Sequence, residues 1–341
     1  MTRARTAFAL AAVPLTLAAL TGPALAADGQ DKAGAFSFAV IGDVPYGAAQ
    51  VADFPGWVDQ INADDDVSMT IHVGDIKNGS SRCTDEYFAG IREQFDRFEQ
   101  PLIYTPGDNE WTDCHRTNNG SYDPLERLDA VRDTFFPVAG RTLGQHSAKV
   151  ASQANVGLPE NVQLRRGGVA MGVIHVVGSN NGTLPWTGLG ETTPNAAQVA
   201  EEKARMDASI ALVKDTFAQA RQRNDRAVAL FQQADMFDPT YTPTPADISA
   251  FTPLVQTLVD EASAFDGDVY LVDGDSHVYN VDRPLAQGSV WLERYGVTGS
   301  ADGLQRITVD GSSNNTDWLK VTVNRPGADS VLSWEQVPYG D

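Results

Sequence analysis

The sequence predicts an α/β fold, and two features of its hydrophobic pattern support this. Short strand-like runs at residues 36–41, 67–73 and 101–105 alternate with helix-like segments. Such alternation is typical of βαβ units, in which neighbouring strands are parallel. From Val278 onward the pattern changes to short strands separated by turns. We therefore expect the second half to add antiparallel strands to a second sheet.

Three helices are expected in the first half, over residues 50–62, 84–98 and 124–135. Thr84 suits the N-cap of the second helix, because its hydroxyl can accept a hydrogen bond from a free N–H of the first turn. Asp85 and Glu86 follow it, where negative charge interacts favourably with the helix dipole. These signals predict that the second helix begins close to Thr84.

The second half is expected to contain two longer helices, over residues 194–223 and 247–264. Its predicted strands lie at residues 162–166, 169–177, 227–231, 269–272, 290–295, 304–309, 318–323 and 331–337. The chain shows no internal repeat and no low-complexity linker. We therefore expect residues 27–341 to form a single domain.

The first 26 residues have the pattern of a secretory signal peptide. Arg3 and Arg5 give the positive start, residues 7–20 are apolar, and residues 24–26 have the small-residue cleavage pattern. The apolar stretch is too short for a membrane span, and no comparable run follows it. The sequence therefore predicts an exported protein without a membrane span, either secreted or periplasmic.

The charge of the chain restricts its partners. It carries 25 Lys and Arg against 45 Asp and Glu, a formal net charge of -20. This sign disfavours nucleic acid or an anionic membrane surface as a general partner. An anionic ligand would have to be recognised by local contacts.

The two cysteines, Cys83 and Cys114, are expected to form a disulfide in the oxidising compartment that a signal peptide implies. The alternative is a pair of free buried thiols. A disulfide would connect the segments that follow Asp75 and Asp108.

Four of the apolar runs end in Gly-Asp, and their aspartates are Asp43, Asp75, Asp108 and Asp275. A buried strand brings each aspartate to an end of a sheet, where ligand sites of open α/β folds lie. Carboxylates gathered in one place repel each other unless a cation lies between them. The pattern therefore predicts a metal site. The alternative is that each aspartate only forms a turn by accepting nearby backbone N–H groups.

The order and spacing of these segments resemble the calcineurin-like metallophosphoesterases. That family's pattern runs Asp-x-His, Gly-Asp, Gly-Asn-His-Asp/Glu, a lone His, and Gly-His-x-His. The corresponding segments here are Gly42-Asp43-Val44-Pro45, Gly74-Asp75, Gly107-Asp108-Asn109-Glu110, Gln233 and Gly274-Asp275-Ser276-His277. Gln232 and Asp235 are competing candidates for the position assigned to Gln233. The similarity covers about residues 36–280.

The resemblance implies a two-sheet β-sandwich flanked by helices on both sides, with two divalent metal ions at the strand ends. Asp75 would bridge the two ions. Asp43 and His277 would complete the ligands of one ion. The ligands of the other ion would be Asp108, Gln233 and Asp275.

Several positions depart from the family pattern. Pro45 replaces a histidine ligand, and the remaining set is rich in oxygen, which favours Mn²⁺, Mg²⁺ or Ca²⁺ over Zn²⁺ or Fe. Asn109 replaces a histidine; an amide can hold a phosphate oxygen but cannot act as a general acid. His115 is the candidate replacement for that acid, and Tyr46 and Arg116 are candidates for phosphate contacts.

The sequence thus predicts a metal-dependent hydrolase that uses activated water on a phosphomonoester or phosphodiester of small size. The alternative is a catalytically degenerate, metal-stabilised binding protein that keeps the same scaffold. Asn109 and Pro45 motivate this alternative, because both positions lack a histidine.

Overall fold

The computed structural model describes residues 35–340, so the predicted signal peptide lies outside the described residues. The strands are β1 (Phe36–Ile41), β2 (Val67–His72), β3 (Leu102–Tyr104), β4 (Ala151–Gln153), β5 (Leu158–Arg166), β6 (Val169–Val173), β7 (Ala227–Phe231), β8 (Asp268–Asp273), β9 (Asn280–Asp282), β10 (Leu304–Thr308), β11 (Asp317–Val323) and β12 (Leu332–Pro338).

The helices are α1 (Gly47–Asn62), α2 (Asp85–Phe95), α3 (Pro124–Phe135), α4 (Gly178–Gly182), α5 (Ala196–Arg223), α6 (Pro245–Ile248), α7 (Thr252–Ser263) and α8 (Val290–Tyr295). The predicted N-cap of α2 is confirmed, because the Thr84 side chain accepts a hydrogen bond from Tyr87 N. The α4 segment differs from the others, since residues 179–181 have left-handed backbone angles.

The strands form two mixed sheets. The first has the order β12-β11-β1-β2-β3, with β1, β2 and β3 parallel and β11 antiparallel to both of its neighbours. The second has the order β4-β5-β6-β7-β8-β10-β9, with β6, β7, β8 and β10 parallel. Parallel neighbours end at the same edge, so the segments after β1, β2 and β3 lie side by side, as do those after β7 and β8.

The two sheets pack face to face around a shared hydrophobic cluster. Phe38 of β1 contacts Phe231 of β7 edge-on, with ring centroids 6.0 Å apart. Ala39 and Ile41, at the alternate positions of β1, face the helices on the other side of the sheet instead. Both faces of β1 are therefore buried, which explains why its sequence is continuously apolar.

Helices cover the outer face of each sheet. The cluster under the first sheet includes Phe54 of α1, Phe95 of α2 and Phe135 of α3. The cluster under the second sheet includes Phe217 of α5 and Leu258 of α7. Burial of each such side chain contributes about 1.5–3 kcal/mol of stabilisation. The helix–sheet–sheet–helix arrangement confirms the fold expected from the sequence.

Two expectations for the second half are wrong. Residues 290–295 form a helix, because Ser289 caps its N-terminus and Gly296 ends it in a left-handed conformation. Trp291 and Tyr295, one helical turn apart, are its buried residues. The last two strands, β11 and β12, join the first sheet, and β10 is parallel to β8. Local β propensity could not reveal either outcome, since both depend on packing against distant segments.

Candidate metal centre

The four aspartates predicted as ligands converge at the facing ends of the two sheets. Two groups of side chains have ligand atoms that all lie within 4.8 Å of one another. One group contains Asp43, Asp75 and His277, and the other contains Asp75, Asp108 and Asp275. Asp75 belongs to both groups, at the position where the family resemblance expects a bridging ligand. The carboxylates of Asp43 and Asp75 are essentially inaccessible to solvent.

The backbone turns sharply at these residues. Asp43, Asp75, Asp275 and His277 all have left-handed conformations, with φ of 55°, 58°, 70° and 61°. Such conformations cost of order 1–3 kcal/mol for residues with a side chain and cluster at functional sites. Because the turns at Asp43, Asp75 and Asp275 follow strand ends, they direct the carboxylates inward instead of along the sheet.

Two glycines allow this close approach of loops. Gly74 has φ of 102°, and a Cβ there would lie 2.7 Å from the Cβ of Gln233. A Cβ at Gly107 would lie 2.0 Å from Oδ1 of Asp75. Neither position can accept a side chain without displacing the central carboxylate or its neighbour. The Gly-Asp pattern therefore has a steric reason at these two positions.

Asp75 is held by four donors. Oδ1 accepts from Asn109 N at 3.1 Å, and Oδ2 accepts from Asn109 Nδ2 at 2.7 Å. The Tyr46 hydroxyl donates to Oδ2 at 2.9 Å, and Gln233 Nε2 donates to it at 3.2 Å. Hydrogen bonds to a carboxylate are stronger than neutral ones, so these contacts fix the orientation of Asp75.

Asp43 and His277 are positioned together. Oδ1 of Asp43 lies 3.2 Å from His277 Nε2, and Oδ2 accepts from Asp275 N at 3.0 Å. The loop between β10 and β11 supports both residues, since Ser312 N donates to Asp43 O and Asn314 Nδ2 donates to His277 O. This loop therefore contributes to the geometry of the first group of ligands.

Asp108 and Asp275 lie around Gly178, at the start of α4. A Cβ at Gly178 would be 2.9 Å from one carboxylate oxygen of each. The Ser179 hydroxyl donates to Asp108 Oδ2 at 2.7 Å. Left-handed backbone at Ser179 (φ 54°) brings this hydroxyl to the carboxylate. Sequence analysis missed Ser179, because nothing local indicates three consecutive left-handed residues after β6.

The electrostatics of the centre favour a cation. Burial, followed by the neighbouring Asp108 carboxylate, raises the pKa of Asp75 well above its ordinary value. The same two causes, in the same order, raise the pKa of Asp275. A divalent cation would reverse this effect, because it stabilises the charged form of every carboxylate around it. The donor set is thus suited to a hard divalent ion.

Gln233 reaches the centre, whereas its two competitors in sequence do not. Gln232 donates to Ala234 O, and Asp235 pairs with Arg306. The Gln233 side chain accepts from Gly178 N at 2.7 Å through Oε1, so Nε2 is the end that faces Asp75 and Asp108. In this arrangement it presents an N–H donor to the carboxylates, and its role as a ligand remains a prediction.

The two predicted catalytic residues have different surroundings. Asn109 lies in the centre, and its Nδ2 donates to Asp75 Oδ2 and to the Tyr46 hydroxyl at 2.9 Å. His115 Nδ1 accepts from Gly188 N at 3.1 Å, and burial lowers the pKa of the imidazole to about 4. Among the described contacts none joins His115 to the carboxylates. Asn109 therefore has contacts within the centre, whereas His115 faces the loop around Gly188.

A buried lysine, also missed by sequence analysis, lies behind the centre. Lys77 is inaccessible to solvent, and its Nζ donates to Asn109 O at 2.8 Å and to Asn78 O at 2.9 Å. Burial lowers the pKa of its amine to about 8, against the opposing effects of Glu110 and Asp75. Lys77 thus fixes the Asn109 backbone that donates to Asp75.

The predicted disulfide is present and packs against the same backbone. The sulfur atoms of Cys83 and Cys114 lie 3.7 and 3.6 Å from Asn109 O. We expect the Cys83→Ser/Cys114→Ser double variant to lose about 3–4 kcal/mol of unfolding free energy, the chain-entropy value for this loop length. Urea denaturation would measure it. Reduction of the unfolded parent before refolding should give the same loss, and unchanged stability in both would contradict the expectation.

The loop between β10 and β11 is anchored by a pH-sensitive contact. Gln336 Nε2 donates to Asp310 and Asp317, and burial followed by the Asp317 carboxylate raises the pKa of Asp310 to about 7. Because the pKa of Asp310 is higher in the folded state than in the unfolded state, the free energy of unfolding decreases as the pH rises from about 4 toward 7.

Replacing Asp310 should remove this pH dependence. We expect Asp310→Asn to be about 1 kcal/mol more stable than the parent at pH 8, a figure reduced for partial exposure, and no more stable at pH 4. Thermal or urea denaturation at the two pH values would test this. If the difference in unfolding free energy between Asp310→Asn and the parent were the same at both pH values, the expectation would be contradicted.

The two-sheet sandwich with acidic groups at its strand ends is an α/β fold of the metallophosphoesterase-like type. The family model for calcineurin-like phosphoesterases matches residues 36–169. This match confirms the resemblance drawn from the motifs. No curated protein sequence matches the chain.

Several solved structures are similar to this one. GAP50, the anchor in the inner membrane complex of Plasmodium, has 10% identity, covers 90% of each chain and gives a TM-score of 0.47. Purple acid phosphatase PPD1 from yellow lupin (Lupinus luteus) seeds has 12% identity, with 90% of this chain and 52% of that chain covered and a TM-score of 0.49. NAD nucleotidase from Haemophilus influenzae has 12% identity, coverages of 89% and 50%, and a TM-score of 0.44. This chain thus spans about half the length of the latter two.

Proposed function

We propose that this protein is an exported, metal-dependent phosphoric ester hydrolase that acts on a small phosphomonoester or phosphodiester. The observation that carries the proposal is the pair of ligand groups that share the buried Asp75. The match to the calcineurin-like phosphoesterases supports the class of reaction.

The two groups would hold two divalent ions. Asp43, Asp75 and His277 would hold one, and Asp75, Asp108 and Asp275 the other. When bound, such ions supply the Lewis acidity that activates water and stabilises phosphoryl oxygens. Five of the six positions in the two groups are filled by carboxylates, so we expect Mn²⁺, Mg²⁺ or Ca²⁺ in preference to Zn²⁺ or Fe.

Export is part of the proposal. The disulfide between Cys83 and Cys114 supports it, because such bonds persist in oxidising compartments. In the described part of the chain, no helix has the length and apolar character to cross a membrane.

The direct test combines metal analysis with hydrolysis assays. Purified protein would be dialysed, loaded separately with Mn²⁺, Mg²⁺ or Ca²⁺, and analysed for bound metal. The rates on nitrophenyl phosphate and bis(nitrophenyl) phosphate would then be measured with and without a chelator. We expect bound metal and a chelator-sensitive rate. Absence of bound metal under all three conditions would overturn the proposal.

A second candidate is a metal-stabilised binding protein that does not turn over. It is favoured by Asn109, because its amide nitrogen already donates to Asp75 and Tyr46 and cannot serve as a general acid. Bound metal without hydrolysis of either ester would support this candidate instead of the hydrolase.

A further inference from the structure

We propose that Arg116 is the residue that binds the phosphoryl group beside the metal centre, and that Asp113 and Ser179 position it. This inference rests on the proposed function. It concerns which side chain contacts the substrate, a role that the ligand groups themselves do not settle.

A phosphate anion at the centre would be favoured by a further positively charged side chain. Four aspartates would balance two divalent ions, which leaves no net positive charge for a phosphate anion. Lys77 cannot provide it, because its amine is buried and donates to two backbone carbonyls. Asn109 cannot provide a free donor either, since Nδ2 already donates to Asp75 and Tyr46.

Arg116 lies at the rim of the centre on the side of Asn109. A Cβ at Gly79 would lie 2.9 Å from Asn109 Oδ1 and 3.1 Å from Arg116 Nη1, so both groups lie next to Gly79. A side chain at position 79 would collide with both groups. The Arg116 side chain is 41% exposed, which leaves part of the guanidinium accessible to a ligand.

A chain of hydrogen bonds connects Arg116 to the metal centre. Arg116 Nη1 lies 2.6 Å from Asp113 Oδ2, and the Ser179 hydroxyl oxygen lies 3.3 Å from Oδ1 of the buried Asp113. The same hydroxyl donates to Asp108 at 2.7 Å. The chain fixes the guanidinium relative to the ligand Asp108, and a planar guanidinium so placed can bind phosphate oxygens in bidentate fashion.

The backbone of Arg116 is held as well. Its N–H donates to Asp113 O, and its carbonyl accepts from the N–H groups of Asn119, Gly120 and Ser121. Both the backbone of Arg116 and its contact with the buried Asp113 carboxylate are therefore fixed. Because of this, the Arg116 side chain loses little further conformational entropy when it binds an anion.

The test measures binding of inorganic phosphate to the Mn²⁺-loaded protein by titration calorimetry. We expect Arg116→Gln to weaken phosphate binding about 10-fold or more, the usual effect of losing a hydrogen bond to a charged group, while metal content is unchanged. Arg116→Lys keeps the charge without the planar fork and should lie between the parent and Arg116→Gln. Asp113→Asn should also weaken binding, because it releases the guanidinium.

The matched control is Arg97→Gln, which removes an equally exposed arginine from an ion pair with Asp59. It should bind phosphate like the parent. Equal phosphate affinity in Arg116→Gln and the parent would overturn the role of Arg116 alone. Failure of the metal-loaded parent to bind phosphate would overturn this role, whereas the proposed function is decided separately by metal analysis and the hydrolysis assays. Should Arg116→Gln fail to fold, unchanged affinity in Arg116→Lys and Asp113→Asn would overturn the role of Arg116.

Discussion

Asp75→Asn is expected to reduce the metal-dependent hydrolysis rate by about 10²- to 10³-fold or more. A loss of this size is found when one preorganised electrostatic group is removed from an active site. Asp75 is the side chain common to both ligand groups, so its loss affects both candidate ion positions at once. The neutral amide also removes the negative charge that would attract the cations. No other single substitution of a ligand should have so large an effect.

Thermal stability provides an independent readout of the same variant. The parent should melt at a higher temperature when Mn²⁺ is added, because a ligand that binds only the folded state contributes about 2.7 kcal/mol at 100 times its Kd. Asp75→Asn should lose most of this increase. Asp129→Asn, which changes an exposed aspartate of α3, is the matched control and should keep it. A full Mn²⁺-induced increase in the Asp75 variant would contradict the shared-ligand geometry.

Asn109→His should raise the hydrolysis rate about 10²-fold or more, within the range contributed by general acid catalysis. The histidine would stand in the centre beside Asp75, where Asn109 now donates through Nδ2. Gly79 packs closely against this side chain, since a Cβ there would be only 2.9 Å from Asn109 Oδ1. An imidazole at this position can donate a proton to the leaving group, which an amide cannot.

The dependence on the leaving group separates this effect from a general improvement of the site. On a series of aryl phosphates, the parent rate should fall steeply as the leaving group becomes more basic, and Asn109→His should show a shallower dependence. Asn109→Ala removes the contacts with Asp75 and Tyr46 without adding an acid, and it should not exceed the parent on any substrate. An equal increase across the whole series would argue against proton donation.

The two variants together discriminate between the candidate functions. A parent that hydrolyses esters and loses this activity in Asp75→Asn is a hydrolase. A parent that binds metal but turns over only after Asn109→His is a degenerate member of the scaffold.

Much of the fold could be predicted from the sequence because its signals are local. The strand at residues 36–41 and the helix at 124–135 agree with the observed bounds, since continuous apolar runs and a capped amphipathic pattern depend only on neighbouring residues. The helix at residues 290–295 could not be predicted, because its aromatic and β-branched residues favour a strand until Trp291 and Tyr295 are buried on one side.

The sequence by itself determined which residues could form the centre, since Gly-Asp after an apolar run places an aspartate at a sheet end. Only the tertiary structure decided how they meet. Asp75 is shared between two groups because β1, β2 and β3 end beside β8 across the sandwich. Ser179 and Lys77 obtained their positions from contacts between distant loops. Such contacts form only when the two sheets pack, so no local pattern could have specified them.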